Sequence, residues 1–270
     1  MKETQIAQQI RQRIDASMDQ AQQQWANPVG TSTRHFVVDD LLPEALIDKL
    51  SAAFSQGGID WVQRSSFREK KKTFSKIDSI DPLVGAVTDA FHEECVLEAV
   101  ARVTGFDGLQ ADPELYAGGI SMMVPGDFLN PHIDNSHDSA RARYRRLNLL
   151  YYVSPQWSKD CGGNLELWDA AVSKPVEIVS RCNRLVVMET NKTSWHSVNE
   201  VITQRNRCCV SNYYFSTGSP DGSAYYHVTS FLGRPRQVLR RAWGRCDNFL
   251  RQQVAVGLKI SRGKNLSRYK

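Results

Sequence analysis

Between residue 113 and about residue 216 the chain is a series of short apolar and aromatic runs, and this pattern restricts the fold more than any other feature. The runs are "ELYAGGISMMV", "RLNLLYYV", "GNLELW", "PVEIV", "NRLVVME", "SWHSVNEV" and "RCCVSNYYF", separated by Pro, Gly, Asn and Asp. Each run is long enough for a strand and too short for a packed helix. Seven or eight antiparallel strands at this spacing predict a double-stranded β-helix, the double-sheet jelly roll or cupin-type barrel. Helical periodicity precedes the strands and returns after them. The expected class is therefore α+β, a jelly-roll core with covering helices at the N-terminus and one helix at the C-terminus.

The helical segments are legible in the same way. Ile6, Ile10, Ile14 and Met18 recur every fourth residue among Gln, Arg and Lys. That is an amphipathic helix, read first as a cover for a sheet and otherwise as a homodimer contact. "FVVDDLL" (36–42) reads as a strand, and "PEALIDKLSAAF" (43–54) as a helix opened by Pro-Glu. "REKKKTFSK" (68–76) reads as an exposed basic loop, and 81–105 as one long or two broken helices stopped by Gly105. In 234–258 a stripe runs through Val238, Leu239, Ala242, Trp243, Cys246, Phe249, Leu250 and Val254. The expected organisation is a single domain over 1–232, with helices in 1–112 and the core in 113–232, followed by a basic helix and tail over 233–270.

Composition excludes some classes and locates the charge. No run approaches a membrane-spanning length, and the charged N-terminus does not resemble a secretory signal. Six cysteines without a Cys-x-x-Cys pair suggest free thiols in a reducing compartment, so the expected location is the cytoplasm. The net charge of +5 is unevenly spread, because residues 233–270 hold eight Arg, three Lys and one acid, a net +10. An anionic partner or membrane surface could read such a segment, with nucleic acid the weaker choice. The plainer expectation is a helix whose stripe packs on the core while its arginines stay in water.

One short motif carries chemistry. If "HID" (132–134) lies on a strand, His132 and Asp134 project to one side while Ile133 faces the other. A third ligand must come from a distant strand, and His196 in the alternating "SWHSV" is the best placed. Two imidazoles and one carboxylate form the facial set by which non-haem Fe(II) oxygenases leave positions open for a co-substrate and O2. A lone His-x-Asp arises easily by chance, and His137-Asp138 reads as a solvated pair. Further support comes from Arg207, which shares a strand face with Cys209, Ser211 and Tyr213. A guanidinium buried beside a metal pocket needs an anionic partner, and a co-substrate carboxylate suits it.

With these residues in order, the chain resembles the prolyl-4-hydroxylase-like branch of the Fe(II)/2-oxoglutarate-dependent oxygenases over roughly residues 113–216. The matching stretches are "PHID", "LNLLYYVSPQW" (147–157), "GGNLELWD" (162–169), "NRLVVMETNKTSWHSVNEV" (183–201) and "RCCVSNYYF" (207–215). The resemblance implies Fe(II) on His132, Asp134 and His196, with 2-oxoglutarate held by Arg207. Ser211, Tyr152 and Asn148 would be further co-substrate contacts, and Tyr213 would face the substrate. Arg205 is the rival for the role of Arg207, but lies nearer the turn. The sequence departs from the pattern at Val124, where some relatives have a co-substrate-binding tyrosine, and in the softer Met122–Met123 pair. Asp134 favours hydroxylation over halogenation, and Tyr213, where demethylases carry a second arginine, counts against demethylation. The implied activity is hydroxylation of an unactivated C–H bond with release of succinate and CO2. Its substrate would be a proline-like protein residue, or a small molecule or glycolipid of a biosynthetic pathway. The alternatives are a non-catalytic cupin-like binding or sensing protein, and a basic RNA- or membrane-associated protein that uses the core as a scaffold.

Overall fold

The isoleucine stripe determines where the first helix goes. In the computed structural model, which describes residues 3–55, 59–116 and 118–257, Ile6, Ile10 and Ile14 of α1 (Glu3–Ala16) are fully buried. They pack against α4 (Pro82–Ala90) and α5 (Glu94–Thr104), and each contributes roughly 2–3 kcal/mol of hydrophobic burial. The three isoleucines are therefore used inside the chain, and Met18 is partly buried against the same core. α2 (Met18–Ala26) lies on the first strand, and α3 (Glu44–Ser55) packs on α4. Asp81 caps α4 by accepting the Leu83 amide, with Pro82 in the first turn. α5 ends where Gly105 turns to a φ of +68°, a left-handed conformation that favours glycine.

The strands form one curled antiparallel system. They are β1 (His35–Asp39), β2 (Val62–Ser65), β3 (Glu69–Phe74), β4 (Gly119–Met123), β5 (Phe128–Ile133) and β6 (Tyr144–Tyr152). Then follow β7 (Leu165–Trp168), β8 (Pro175–Ile178), β9 (Arg184–Glu189), β10 (His196–Val198), β11 (Arg207–Ser216) and β12 (Ser230–Phe231). Hydrogen bonding runs in the order β1-β9-β6-β11-β4-β3-β5-β10-β7-β8, with β2 on β3 and β12 on β5. The non-consecutive neighbours are those of the expected jelly roll. The face of β6, β9 and β11 carrying Leu147, Leu149, Tyr151, Leu185, Val187 and Val210 joins the helices in the largest core. The opposite face is left to line a cavity.

Two expectations are corrected. Residues 68–76 are not a solvated loop, because β3 joins β4 to β5 and Glu69 is buried. The stripe of the last helix, α6 (Val238–Gly257), does not pack on the core: Leu239 is 87 % exposed and Trp243 64 %. The six cysteines are free thiols. Among the described residues no helix is long and apolar enough to cross a membrane.

Candidate metal centre and co-substrate pocket

Antiparallel pairing of β5 with β10 sets His196 directly opposite His132, and Asp134 follows the last residue of β5. The ring centroids of the two histidines are 4.0 Å apart. Asp134 Oδ1 lies 3.7 Å from His132 Nε2, and its Oδ2 lies 3.8 Å from His196 Nε2. One ligand atom from each of the three falls within 4.8 Å of the others, a spacing at which they could hold a metal ion. Each Nδ1 lies 3.0 Å from the backbone carbonyl two residues earlier, Asn130 for His132 and Ser194 for His196. A carbonyl only accepts, so Nδ1 carries the hydrogen and Nε2 presents its lone pair to the centre.

The electrostatics favour ligation. Burial, reinforced by His196, pushes the His132 imidazole down to about 3, and burial also lowers His196. Burial alone would raise the Asp134 carboxyl, but the Arg145 guanidinium foremost outweighs it and the group is held well below the carboxylate range. Asp134 Oδ2 lies 3.3 Å from Arg145 Nη1 without hydrogen-bond alignment, and that oxygen has no hydrogen-bond partner. Neutral imidazoles, an ionised carboxylate and an orphaned oxygen are the donor set that a divalent transition metal fits. A pH dependence follows. The stability supplied by neutral His132 is fully present above the unfolded value of 6.5 and is lost as pH falls from there toward 3. The metal-free protein is expected to lose about 2 kcal/mol from this group on acidification to about pH 5, read from denaturant melts against a His132→Asn control.

The co-substrate end is built by β6 and β11, whose register pairs Tyr152 with Cys209, Leu150 with Ser211, and Asn148 with Tyr213. A cavity of about 100 Å3 is lined by His132, Asp134, His196, Asn148, Ser211, Tyr213 and Arg207. Arg207 is buried over the Tyr152 ring at 4.8 Å, and its Nε donates to Ser180 Oγ at 3.1 Å. Arg205, its rival, is exposed and donates to the Gln156 carbonyl. The Tyr152 hydroxyl and the Asn148 amide oxygen are buried without hydrogen-bond partners, and burial pushes the phenol up to about 12. At Gly163, φ is +63° and a Cβ would come within 2.9 Å of Arg207 Cδ, so glycine makes room for the arginine stem. Met123 faces this end, with its sulfur 3.7 Å from Arg207 Nη1.

Four further side chains reach the site. Arg145, 1 % exposed, crosses the Tyr213 ring at 3.9 Å, and its Nε and Nη2 lack hydrogen-bond partners. Simple alternation would have put Arg146 on that face, but a register shift between Tyr214 and Phe215 pairs Phe215 with Arg145 instead. Lys71 and Thr73 of β3 line the cavity, and Phe231 stacks on His132 at 5.2 Å. His137 and Asp138 are not solvated. Both are buried, His137 beside Ser136 Oγ and the Tyr144 ring, and Asp138 accepting from the Ala142 amide and Arg143 Nε.

Comparison with known proteins agrees with this geometry. Residues 118–215 match the model of the 2OG-Fe(II) oxygenase superfamily. The chain is 30% identical over 88 residues to the prolyl 3-hydroxylase OGFOD1 of Mus musculus, and 36% identical over 76 residues to that of Xenopus laevis. Those stretches cover 30% and 26% of this chain but only 16% and 15% of the relatives. Among solved structures, a prolyl hydroxylase of Trichoplax adhaerens, in complex with a hypoxia inducible factor peptide fragment, superposes with a TM-score of 0.54 at 18% identity. That match covers 76% of this chain and 91% of the other. HygX from Streptomyces hygroscopicus, with nickel and 2-oxoglutarate bound, gives 0.51 at 12% identity over 74% and 94%. These two likenesses concern the fold. Over residues 118–215, which include the three donors and Arg207, the chain is thus similar to the 2OG-Fe(II) oxygenase superfamily.

Proposed function

We propose that this chain is an Fe(II)- and 2-oxoglutarate-dependent dioxygenase that hydroxylates a C–H bond. The observation that carries the proposal is one cavity lined both by the His132, Asp134 and His196 donor set and by the buried guanidinium of Arg207. His132 and His196 would hold Fe(II) through Nε2 and Asp134 through a carboxylate oxygen. Arg207 would grip the distal carboxylate of 2-oxoglutarate, and the orphaned Tyr152 hydroxyl and Asn148 amide gain partners when that ligand binds. Ser211 is the further polar contact on the same strand face. When bound, the ferrous ion supplies O2 activation coupled to decarboxylation of 2-oxoglutarate to succinate and CO2. Leu129, Leu150, Leu165 and Val198 keep the cavity apolar between its polar ends and exclude water from the reacting centre. Arg145 keeps Asp134 ionised. A non-catalytic binding protein would need no such complete donor set beside a buried cation. We take residues 1–232 as the catalytic unit and 233–270 as an appended segment.

The substrate side adjoins the metal ligands. Arg64, Lys71, Arg145 and Tyr213 line it together with His132 and Asp134. The unpartnered nitrogens of Arg145 favour a substrate with a carbonyl or anionic oxygen near the carbon that reacts. A protein residue is one candidate, because the similar proteins include prolyl hydroxylases and one is bound to a peptide. A small molecule is the other, because HygX has been solved with hygromycin B. The test is succinate release that requires added Fe(II), 2-oxoglutarate and O2, paired with a mass-spectrometric search of lysate for products that gain one oxygen atom. Absence of both succinate release and 2-oxoglutarate binding overturns the proposal. Once a substrate is known, Arg145→Gln is expected to uncouple the reaction, raising succinate formed per hydroxylated product at least about tenfold. Measuring both products in the same reaction checks this.

A further inference from the structure

We propose that α6 is a membrane-docking helix that lies in the surface of an anionic bilayer with its apolar face inward. This does not rest on the oxygenase reading. The helix is attached to the body by its polar face. Asn248 donates to the Phe231 carbonyl at 2.8 Å and accepts the Phe231 amide at 3.0 Å. Gln252 accepts the Val228 amide and donates to the Tyr226 carbonyl, and Asp247 pairs with Arg68. Arg241 donates to the carbonyls of Val172 and Ala171, and a Cβ on Gly244 would meet the Phe231 carbonyl at 2.9 Å.

At 100° per residue the apolar positions from Val238 round to Val254 cover about 160° of the helix, interrupted only by Gln253; Arg241, Gly244, Asn248 and Gln252 lie on the other side, and Asp247 at one edge. Val238, Leu239, Trp243, Phe249, Leu250 and Val254 are between 54% and 87% exposed. Polar anchoring with a continuous apolar face turned outward is the reverse of an ordinary surface helix, and a patch of this kind marks an interaction site.

Charge decides the occupant. Arg240 and Arg245 are exposed and border the apolar face on its two sides, and residues 258–270 add five cations and no acid to the sequence. A second copy would set one arginine-edged face against another, and its acid Asp247 is already paired with Arg68. RNA would neutralise the arginines but offer nothing to the aliphatic face. Anionic lipid supplies both a hydrocarbon layer for Leu239, Trp243 and Leu250 and headgroup charge for the flanking arginines. Docking in this way would also bring the membrane close to Phe231, the residue that stacks on His132.

The test is flotation of the full-length protein with phosphatidylcholine vesicles, pure or doped with phosphatidylglycerol, at low and high salt. The expected result is binding to the anionic vesicles that weakens with salt and is at least about tenfold weaker on pure phosphatidylcholine. A Leu239→Glu/Trp243→Glu/Leu250→Glu variant, with an unchanged thermal melt, should lose it by a similar factor. Failure of the wild type to float with anionic vesicles overturns the proposal, as does undiminished binding by the variant. Equal binding to pure phosphatidylcholine overturns the role of charge. A wild-type dimer that the variant dissociates, seen by analytical ultracentrifugation, would assign the face to a second copy instead.

Discussion

Asp134→Ala is expected to abolish succinate formation, with turnover at least about a thousandfold below wild type, and to remove tight binding of a divalent metal. Two effects combine. The substitution deletes one of three ligands, and it strips Arg145 of the carboxylate 3.3 Å away, leaving a buried cation beside two imidazoles. Breaking a buried pair in this way costs about 3–5 kcal/mol, and a positive field left at the centre repels the metal that His132 and His196 could still bind. Asp134→Asn keeps the shape and removes only the charge. It should retain the fold, shown by an unaltered circular dichroism spectrum, while Mn(II) affinity by calorimetry still collapses. A variant that kept wild-type metal affinity would remove Asp134 from the centre.

Arg207→Gln is expected to raise the KM for 2-oxoglutarate by about a hundredfold while leaving metal affinity within about threefold of wild type. A charge-assisted, two-pronged contact in a buried site is worth about 3 kcal/mol, and its loss falls on the co-substrate because Arg207 touches none of the three ligands. Ser180 and Tyr152 fix the guanidinium plane, so Arg207→Lys should recover little of the affinity despite keeping the charge. Calorimetric titration of 2-oxoglutarate into the Mn(II)-loaded variants separates the two parameters. Equal loss of metal and co-substrate affinity would point to a damaged fold rather than a lost anchor.

How much of this could be read from the sequence depended on which periodicity carried the information. Strand alternation placed His132 and Asp134 on one side and aligned Arg207 with Ser211 and Tyr213, because β5 and β11 obey that alternation through the site. Apolar content located β6, β9 and the helices for the same reason. β3 escaped notice because its pocket-facing residues Lys71 and Thr73 line a polar cavity, so a real strand showed no apolar rhythm. Arg145 was hidden by the register shift in β6, which swaps the face that simple alternation assigns. His137 and Asp138 looked like loop residues, yet their hydrogen bonds close the turn between β5 and β6 from inside. For α6 the stripe was correct and its direction was not. Amphipathicity states that two faces differ, and here specific bonds from Asn248 and Gln252 turned the polar one inward.

The most direct measurement is a crystal structure of the protein grown anaerobically with Mn(II) and 2-oxoglutarate, phased to reveal the anomalous signal of the metal. One manganese peak should appear among His132 Nε2, Asp134 and His196 Nε2, with the far carboxylate of the keto acid on Arg207. Manganese bound away from these three side chains, or a co-substrate carboxylate held by Arg145 or Lys71 with Arg207 unengaged, would contradict the assignment.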